Sequence, residues 1–294
     1  MSTRYPDWAI DGKDWPNREA SSFVRVGGYE WHVQQMGDGP LCLLIHGTGA
    51  ATHSWRGVMP LLAKHYTVVA VDLPGHGFTK IGLGGKVTLE GMAASVAALL
   101  DHFDLTPDLI VGHSAGVAIA AQLLLDRKWQ IPLIGFTPAL MPFPGLAAKI
   151  FPSLAKMLFT NPFVAIIFSR MAQAPGQTAK FLARATGSKI DAAGANSYTR
   201  LFSKSGHCDG AIRMMANWRL EALGAKLGNL TSPVLLVSAA KDAAIPKTAV
   251  VQAAALIPEC EAQEMPALGH LAHEEEPAQA VKIITEFAKA KITA

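Results

Sequence analysis

The segment Gly-His-Ser-Ala-Gly, residues 112–116, constrains the fold of this 294-residue chain more than any other feature. The apolar, β-branched run at residues 109–111 precedes it and predicts a buried strand, and the Ala- and Leu-rich run after it predicts a helix. Because Gly112 and Gly116 lack Cβ atoms, the strand and the helix can approach closely around Ser114. A strand, this turn and a helix are the context that a nucleophile elbow requires, so Ser114 is a candidate nucleophile.

Strand and helix patterns alternate along most of the chain. Two runs of alternating polarity joined by Gly27-Gly28 predict a hairpin. Apolar runs predict further strands at residues 41–45, 66–71, 133–137 and 234–238. Residues 262–265, between two helical segments, are expected to form a last short strand. Helical composition is found at residues 52–64, 92–102, 248–256 and 279–291. This alternation predicts an α/β fold with a mostly parallel sheet and helices on both faces.

The alternation stops between residues 138 and 230, where the pattern is helical and contains no evident strand. We interpret residues 138–230 as a helical cap over the carboxyl ends of the strands, where ligands bind in open α/β sheets. The core then consists of residues 1–137, which begin with a polar peripheral arm at residues 1–21, and of residues 231–294.

A catalytic serine needs a base, and the base needs an orienting acid. Where an elbow serine is catalytic in such a sheet, the acid and then the histidine follow it in chain order. Asp242 lies four residues beyond the predicted strand that ends at Ser238, and His270 follows Gly269 in a later loop. Both positions belong to loops at the strand carboxyl ends, so we expect Asp242 and His270 to complete a triad with Ser114.

Other ionisable residues compete for these roles. His273 lies three residues beyond His270, but a histidine in a helical turn is more often a packing or surface residue. Asp191 and Asp209 lie in the cap segment and follow no sheet strand, so they are poorer candidates for the acid. His76 is flanked by Pro and Gly residues that mark a rigid turn, which favours a structural role.

Acyl transfer also needs two N–H donors for the oxyanion of its transition state. The backbone N–H of Ala115, directly after the serine, is one expected donor. The other is expected in the loop of residues 46–50, where we assign it to Thr48, with Gly49 as second choice. An ordinary Gly-rich loop is the alternative. The residues expected to shape these two turns are His46, Gly47, Gly49, Gly112 and Gly116.

Several classes of protein are disfavoured by the sequence. No apolar run reaches the ~18–20 residues of a membrane span, and the amino end lacks the apolar segment of a secretory signal. The cysteines, Cys42, Cys208 and Cys260, have no metal-ligand spacing, and no phosphate-binding or dinucleotide fingerprint is supported. We therefore expect free thiols in a cytoplasmic protein with no metal, no cofactor and no nucleic-acid partner.

The net charge of +3 is unevenly distributed. Residues 127–190, a stretch of 64, contain no Asp or Glu. They contain eight bases: Arg127, Lys128, Lys149, Lys156, Arg170, Lys180, Arg184 and Lys189. This asymmetry favours an anionic partner, either a membrane surface or an acidic ligand, and a solvated face without a partner is the alternative.

A family resemblance is carried by the motifs HGTG (46–49), DLPGHG (72–77) and GHSAG (112–116), by the loop of Asp242, and by GH (269–270) followed by EEP (275–277). With these motifs the chain resembles the α/β-hydrolase superfamily over essentially its whole length. One subfamily is matched more closely, the hydrolases of bacteriochlorophyll biosynthesis clusters called magnesium-chelatase accessory proteins. Its resemblance is carried by residues 31–34, 46–56, 72–79, 161–162, 186–188, 214–218 and 269–275. The resemblance implies an α/β-hydrolase fold with a cap, a photosynthetic bacterium and a role connected with tetrapyrroles.

We therefore expect a serine hydrolase that acts on an ester-type bond of a hydrophobic substrate in or beside bacteriochlorophyll synthesis. From residue 138 to 172 the chain has five Phe and three Met, with Lys149, Lys156 and Arg170 as its only charges. This composition suits an anionic, tetrapyrrole-like ligand or peripheral contact with the inner or photosynthetic membrane. Two alternatives stay open: a porphyrin-binding accessory protein without catalysis, and a general carboxylesterase or lipase. Magnesium chelatase is a partner by resemblance only.

Overall fold

Eight strands form a single sheet in the computed structural model, which describes residues 4–81, 87–142 and 162–292. The strands are β1 (Ser21–Val26), β2 (Tyr29–Met36), β3 (Leu41–Ile45), β4 (Thr67–Val71), β5 (Leu109–His113), β6 (Leu133–Phe136), β7 (Val234–Ala239) and β8 (Cys260–Met265). Their order in the sheet is β1-β2-β4-β3-β5-β6-β7-β8. The first two pairings are antiparallel and the other five are parallel, so the predicted mostly parallel sheet is confirmed.

Helices cover both faces of this sheet, and further helices lie between β6 and β7. The helices are α1 (Trp8–Asp11), α2 (Met59–Leu62), α3 (Leu89–His102), α4 (Ala115–Arg127), α5 (Pro162–Ala172), α6 (Gln177–Thr186), α7 (Ala192–Phe202), α8 (Ser205–Asn217), α9 (Glu221–Gly224), α10 (Lys247–Leu256), α11 (Ala272–Glu275) and α12 (Pro277–Ile292). Thr88 begins α3 by accepting a hydrogen bond from the N–H of Gly91 at 3.1 Å, which satisfies one free donor of the first turn.

The core has two layers because the central strands are apolar on both faces. Leu43 and Ile45 of β3 point toward the layer formed with α3, α4 and α10, which contains Met92 and Val117. Leu44, their neighbour on the same strand, points toward the layer formed with α2 and α12. Side chains alternate across a strand, so a continuous apolar run supplies both layers at once.

Five of these helices, α5 to α9, form the region that the sequence predicts as a cap. No strand lies between β6 and β7 in the described residues of this region. Helix α5 packs on α8, and Ala165, Cys208 and Ile212 form a small buried cluster at their contact. The boundaries at residues 138 and 230 stay a prediction, and residues 143–161, including Lys149 and Lys156, lie outside the described part of the chain.

The helix predicted at residues 52–64 is wrong as a single element. The structure has a short 3₁₀ turn at Thr52–Trp55 and then the one-turn helix α2. Between them, a Cβ atom on Gly57 would lie 2.9 Å from the ring of Pro277 at the start of α12. Pro60 stands in the first turn of α2, where its missing N–H is tolerated, rather than inside a longer helix.

The predicted peripheral arm is also more deeply packed than the sequence indicates. Trp15 is only 2% exposed, and its Nε1–H donates to Thr52 Oγ1 at 3.1 Å. Trp8 packs edge-on against Phe78, with ring centroids 4.8 Å apart. The carbonyl of Arg4 accepts from the N–H of Gly206 in α8 at 2.7 Å, so the arm also contacts the cap.

Replacing Gly116 by Ala is expected to lower the free energy of unfolding by about 2–3 kcal/mol. An added Cβ would lie 2.7 Å from the carbonyl oxygen of His46 and closer still to that of Ile45, and neither backbone group can move without disturbing β3. Urea unfolding measures the change. Gly224→Ala is the matched control because nothing lies within 4 Å of its added Cβ, and it should retain wild-type stability. Equal stability of both variants would contradict the close packing at the elbow.

Candidate active site

Ser114 stands between β5 and α4 in a strained backbone conformation. Its φ of 51° and ψ of −117° are rare for a residue with a Cβ atom. The Ser114 N–H donates to the carbonyl of Phe136 at 3.0 Å, and its carbonyl accepts from the N–H groups of Val117 and Ala139, both at 3.1 Å. These three bonds hold the strained turn in place, so the hydroxyl projects from a fixed backbone.

Two further glycines let the surrounding backbone close around this turn. A Cβ on Gly112 would lie 2.7 Å from the backbone nitrogen of Val117. A Cβ on Gly47 would lie 2.9 Å from Ser114 Cβ and 2.8 Å from His113 Nδ1. The loop after β3 therefore contacts the candidate nucleophile directly, which is where the sequence places an oxyanion-binding loop.

The loop of residues 46–50 is a closed turn. The Ala50 N–H donates to the carbonyl of Gly47 at 3.2 Å, and Gly49 has a φ of +78°, as a type II turn requires at its third position. His46 fastens the turn from the other side: its Nε2 accepts from the N–H of Leu73 at 3.0 Å, and its Nδ1–H donates to the Gly47 carbonyl at 2.7 Å. Burial lowers the pKa of His46 and keeps the ring neutral for this dual role.

Two backbone N–H groups near Ser114 are available to a ligand. Ala115 is the first residue of α4, so its N–H precedes the hydrogen-bond ladder of the helix. The N–H of Thr48 donates no hydrogen bond to any described residue. Positive potential from the helix N-terminus adds to the attraction of an anion at this position.

Asp242 and His270 form a direct, nearly buried pair. His270 Nδ1–H donates to Asp242 Oδ2 at 2.8 Å, and the two side chains are 9% and 2% exposed. The second oxygen, Oδ1, accepts from the N–H groups of Ala244 at 2.7 Å and Ile245 at 2.8 Å. These bonds fix the carboxylate and, through it, the ring of His270, whose Nε2 remains a proton acceptor.

The loop that carries His270 is tied to the elbow strand. His113, the residue before Ser114, donates from Nε2 to the His270 carbonyl at 3.0 Å, and Thr137 Oγ1 donates to the same carbonyl at 2.9 Å. The rings of His113 and His270 are 4.8 Å apart between centroids. Burial, followed by the charges of His273 and His270, lowers the pKa of His113 well below its usual value. The loop of His270 is thus held against the strand that ends directly before Ser114.

A segment of the cap supports both loops of this pair. The carbonyl of Thr186 accepts from the N–H of His270 at 2.8 Å and from that of Ala243 at 3.3 Å. Ser188 Oγ accepts from the N–H of Leu271 at 2.8 Å. In the sequence, residues 186–188 carry only a family resemblance. No local pattern links this segment to loops more than 50 residues away.

His273, the competing base, is engaged elsewhere. It is buried, and its Nε2–H donates to Ser54 Oγ at 2.9 Å. Ser54 Oγ donates in turn to Glu274 at 2.6 Å, and Tyr198 and Arg56 donate to the same carboxylate at 2.7 and 2.5 Å. Burial lowers the pKa of His273 to about 3, so the ring is neutral and serves as a structural donor.

The two cap aspartates are also occupied away from His270. Asp191 begins α7, because its Oδ1 accepts from the N–H of Gly194 at 2.7 Å, and it pairs with Arg56 at 2.8 Å. Asp209 pairs with Arg213 along α8 at 3.0 Å. Both carboxylates therefore have structural roles.

His207 of α8 joins the candidate oxyanion loop to the cap. Its Nδ1 accepts from the N–H of Gly77 at 3.0 Å, so Nε2 carries the proton and donates to the carbonyl of Gly49 at 3.1 Å. Burial lowers the pKa of His207 to about 4. His76 lies beside it, buried, with its Nδ1 3.3 Å from the carbonyl of Pro74. No sequence pattern marks His207, because its contacts arise only from the packing of α8.

The cysteines, possible metal ligands and possible membrane spans were also candidate features of the sequence. Cys42, Cys208 and Cys260 are free thiols. Among the described residues, no three His, Cys, Asp or Glu side chains are grouped to hold a metal ion. No helix within residues 4–81, 87–142 and 162–292 combines the length and hydrophobicity needed to cross a bilayer.

Acidification from pH 7 to pH 5 is expected to destabilise the protein strongly. Burial lowers the pKa values of His46, His53, His76, His113, His207 and His273. Below the ordinary histidine pKa of 6.5, the unfolded chain protonates these rings while the folded chain does not. The free energy of unfolding therefore decreases as the pH is lowered. A ring whose folded pKa lies well below 5 contributes about 2 kcal/mol to this loss.

His53 allows a direct test, because neither ring nitrogen has a hydrogen-bond partner among the described residues. His53→Leu should reduce the difference between unfolding free energies at pH 7 and pH 5 by about 2 kcal/mol. Urea titrations at both pH values measure it, with His65→Gln at an exposed histidine as the control. An unchanged difference in His53→Leu would show that this ring is not held neutral by the fold.

Known proteins resemble this chain in sequence. The profile of the alpha/beta hydrolase family matches residues 42–283. The Magnesium-chelatase 30 kDa subunit of Rhodobacter capsulatus is 40% identical over 264 residues, which cover 89% of this chain and 92% of that protein. The resemblance inferred from the motifs, both to the superfamily and to a magnesium-chelatase-associated relative, is confirmed.

Solved structures share the same architecture. A protein of Acinetobacter baumannii AYE superimposes with a TM-score of 0.78 at 17% identity, covering 93% of this chain and 92% of that one. A thermophilic esterase of Thermogutta terrifontis superimposes with a TM-score of 0.70 at 21% identity, covering 92% and 98%. At these identities the likeness speaks for the fold alone. The family profile, the Rhodobacter capsulatus relative that is matched over most of its length, and the shared fold all agree. The chain belongs to the alpha/beta hydrolase family.

Proposed function

We propose that this chain is a serine hydrolase that cleaves an ester-type bond of a hydrophobic substrate. One observation carries the proposal: Ser114, held at positive φ on the elbow, lies next to His113, whose ring contacts the hydrogen-bonded His270–Asp242 pair. A packing role alone does not call for a strained serine, a nearby histidine and a carboxylate that fixes its tautomer.

The geometry supports acyl transfer in two steps. In the first, Ser114 Oγ attacks the substrate carbonyl carbon while His270 Nε2 takes the hydroxyl proton, and a tetrahedral oxyanion forms. His270 then gives this proton to the departing alkoxide, the bond to the leaving oxygen breaks, and an acyl-serine remains. Asp242 accepts the Nδ1–H throughout and stabilises the imidazolium.

In the second step, water attacks the acyl-serine. His270 takes a proton from the water and then returns it to Ser114 Oγ, which leaves as the carboxylic acid is released. In both steps the oxyanion is placed between the N–H groups of Thr48 and Ala115, with Gly49 as the other candidate in the loop. Removing one such donor in a serine hydrolase lowers kcat by about 10²–10³.

An apolar substrate is favoured by the surroundings of the candidate oxyanion loop. Thr48 Oγ1 contacts the sulfur of Met214 at 3.5 Å, and a Cβ on Gly49 would lie 3.6 Å from the ring of Phe202. Leu271, directly after His270, belongs with Phe202 to one buried apolar cluster. Apolar side chains beside the candidate oxyanion loop suit the acyl or alcohol part of a hydrophobic ester.

We further propose that this substrate belongs to bacteriochlorophyll synthesis or to chemistry beside it, and is a tetrapyrrole-like carboxylic ester. Support comes from the motif resemblance and from the printed name of the Rhodobacter capsulatus relative, a magnesium-chelatase subunit. That name also supports the second candidate function, a porphyrin-binding accessory protein that acts with magnesium chelatase and needs no catalysis. A general esterase or lipase is the third.

Replacing Ser114 by Ala is expected to abolish hydrolysis of a short activated ester, since no other described residue supplies the nucleophile in the proposed step. Labelling of the wild-type protein by a fluorophosphonate should also be lost. Ser95→Ala, which removes a hydroxyl bonded within α3, is the matched control and should label like wild type. Undiminished labelling of Ser114→Ala would contradict the elbow assignment.

The same variant separates the enzyme from the accessory protein. A pigment-deficient deletion strain should regain pigment synthesis with the wild-type gene and fail to regain it with the Ser114→Ala gene. Full rescue by Ser114→Ala, with the protein present at the wild-type level, would favour porphyrin binding over catalysis.

His207→Leu is expected to lower kcat about tenfold or more with little change in KM, because the Gly49 carbonyl and the Gly77 N–H lose their partner and the oxyanion loop loosens. His207→Gln keeps one donor and one acceptor and should recover part of kcat. Steady-state kinetics on the activated ester measure both parameters.

A purely structural role of His207 predicts a different result. Cys208→Ala alters the next residue of α8, whose thiol donates to the Phe202 carbonyl at 3.1 Å and does not touch the loop. It should lower stability without changing kcat. Equal kcat losses in His207→Leu and Cys208→Ala, or no recovery in His207→Gln, would show that His207 does not position the loop.

A further inference from the structure

Helix α5 turns large apolar side chains toward solvent and small ones toward the protein. Ala165, Ser169 and Ala172 are each 5% exposed. Ile166, Ile167 and Met171 are 37%, 58% and 62% exposed. A surface helix of a globular protein normally has the opposite arrangement. Contiguous exposed apolar side chains mark a contact surface rather than a solvated one.

Basic side chains accompany these apolar residues. Arg170 on α5 and Lys180 and Arg184 on α6 are exposed, and none of them forms an ion pair with another described residue. Lys180 and Arg184 are four residues apart and flank Phe181, which is 44% exposed. We call the set Ile166, Ile167, Met171, Phe181, Arg170, Lys180 and Arg184 the cap face.

The cap face is continuous with the candidate active site through aromatic rings. Phe181 contacts Phe168 with centroids 5.2 Å apart, and Phe168 contacts Phe202 at 5.6 Å. Phe202 in turn lies against Gly49 of the candidate oxyanion loop. A continuous row of three packed aromatic rings thus extends from the exposed cap face to the loop beside Ser114.

We propose that the cap face docks on an anionic lipid surface, from which a hydrophobic ester reaches the active site along Phe181, Phe168 and Phe202. The charges of the cap face all have one sign, and its apolar members are the large side chains of two isoleucines, a methionine and a phenylalanine. This combination fits acyl chains below a layer of anionic headgroups. Docking does not depend on catalysis, whereas the route along the rings rests on the proposed hydrolase function.

Vesicle flotation tests the docking with the full chain. The wild-type protein should float with vesicles of phosphatidylcholine and phosphatidylglycerol more than with phosphatidylcholine alone, and high salt should remove the excess. Each base near an anionic surface contributes roughly a fivefold factor, so Arg170→Gln with Lys180→Gln and Arg184→Gln should weaken binding roughly a hundredfold. Replacing the exposed bases Lys13, Lys64 and Lys226 by Gln changes the net charge equally and is the control.

The apolar part is tested separately. Ile167→Ser with Met171→Ser should weaken binding to both kinds of vesicle, and Val251→Ser with Leu256→Ser, at exposed positions of α10, should not. Equal binding of wild type to both vesicle types, or equal loss in cap-face and control variants, would overturn the docking proposal. A protein that binds native membranes but fails to bind pure lipid vesicles would overturn the docking proposal in favour of a protein partner in the membrane.

Activity measurements distinguish docking from catalysis. The cap-face variants should lose hydrolysis of a long-chain ester embedded in anionic vesicles while keeping hydrolysis of a short soluble ester, because they leave Ser114, His270 and Asp242 untouched. Loss of the vesicle ester alone supports the route from the lipid. Wild-type binding to anionic vesicles without any ester hydrolysis would overturn the proposed function and the route and leave the docking standing, whereas equal losses with both esters would overturn the route.

Discussion

The contact of Gly116 with the end of β3 is the constraint on which the rest of the site depends. Because Gly116 has no Cβ, the first turn of α4 reaches the carbonyls of Ile45 and His46, and the chain enters this turn through the positive φ of Ser114. The same approach brings Gly47 against the serine side chain. The positions of Ser114 and of the loop after β3 are therefore set by the same packing contacts, since neither can shift without the other.

Residues of the predicted cap region hold the loops of the candidate triad in place. The Thr186 carbonyl binds the loops of Asp242 and His270 together, and His207 fixes the loop that contains Gly49. Arg56 and Glu274 add a buried ion pair that reaches Asp191 at the start of α7. The predicted cap region and the core are thus linked at several separate points in the described part of the chain. A large displacement of α6, α7 or α8 would disturb the candidate site. We therefore place substrate entry near α5.

The sequence predicted those features whose physical cause is local. The central strands β3 to β7 are buried apolar runs, and Ser114 and Asp242 follow two of them, so their positions could be inferred without tertiary information. His270 follows β8, which is polar and largely exposed, and was inferred from chain order and from the glycine before it. The break at residues 56–58 could not, because Gly57 meets Pro277 from the far end of the chain. The roles of Thr186 and His207 likewise arise from helices that pack onto distant loops, where no local pattern records the contact.

Neutral histidines explain how so many loops meet in so little space. A neutral imidazole offers one donor and one acceptor on opposite sides of a small ring, so it can join two backbone segments that each lack a partner. His46 joins Leu73 to Gly47, and His207 joins Gly77 to Gly49. Burial lowers both pKa values and so preserves the acceptor that protonation would remove. The low-dielectric interior that makes charge expensive thereby keeps the candidate oxyanion loop fastened at neutral pH.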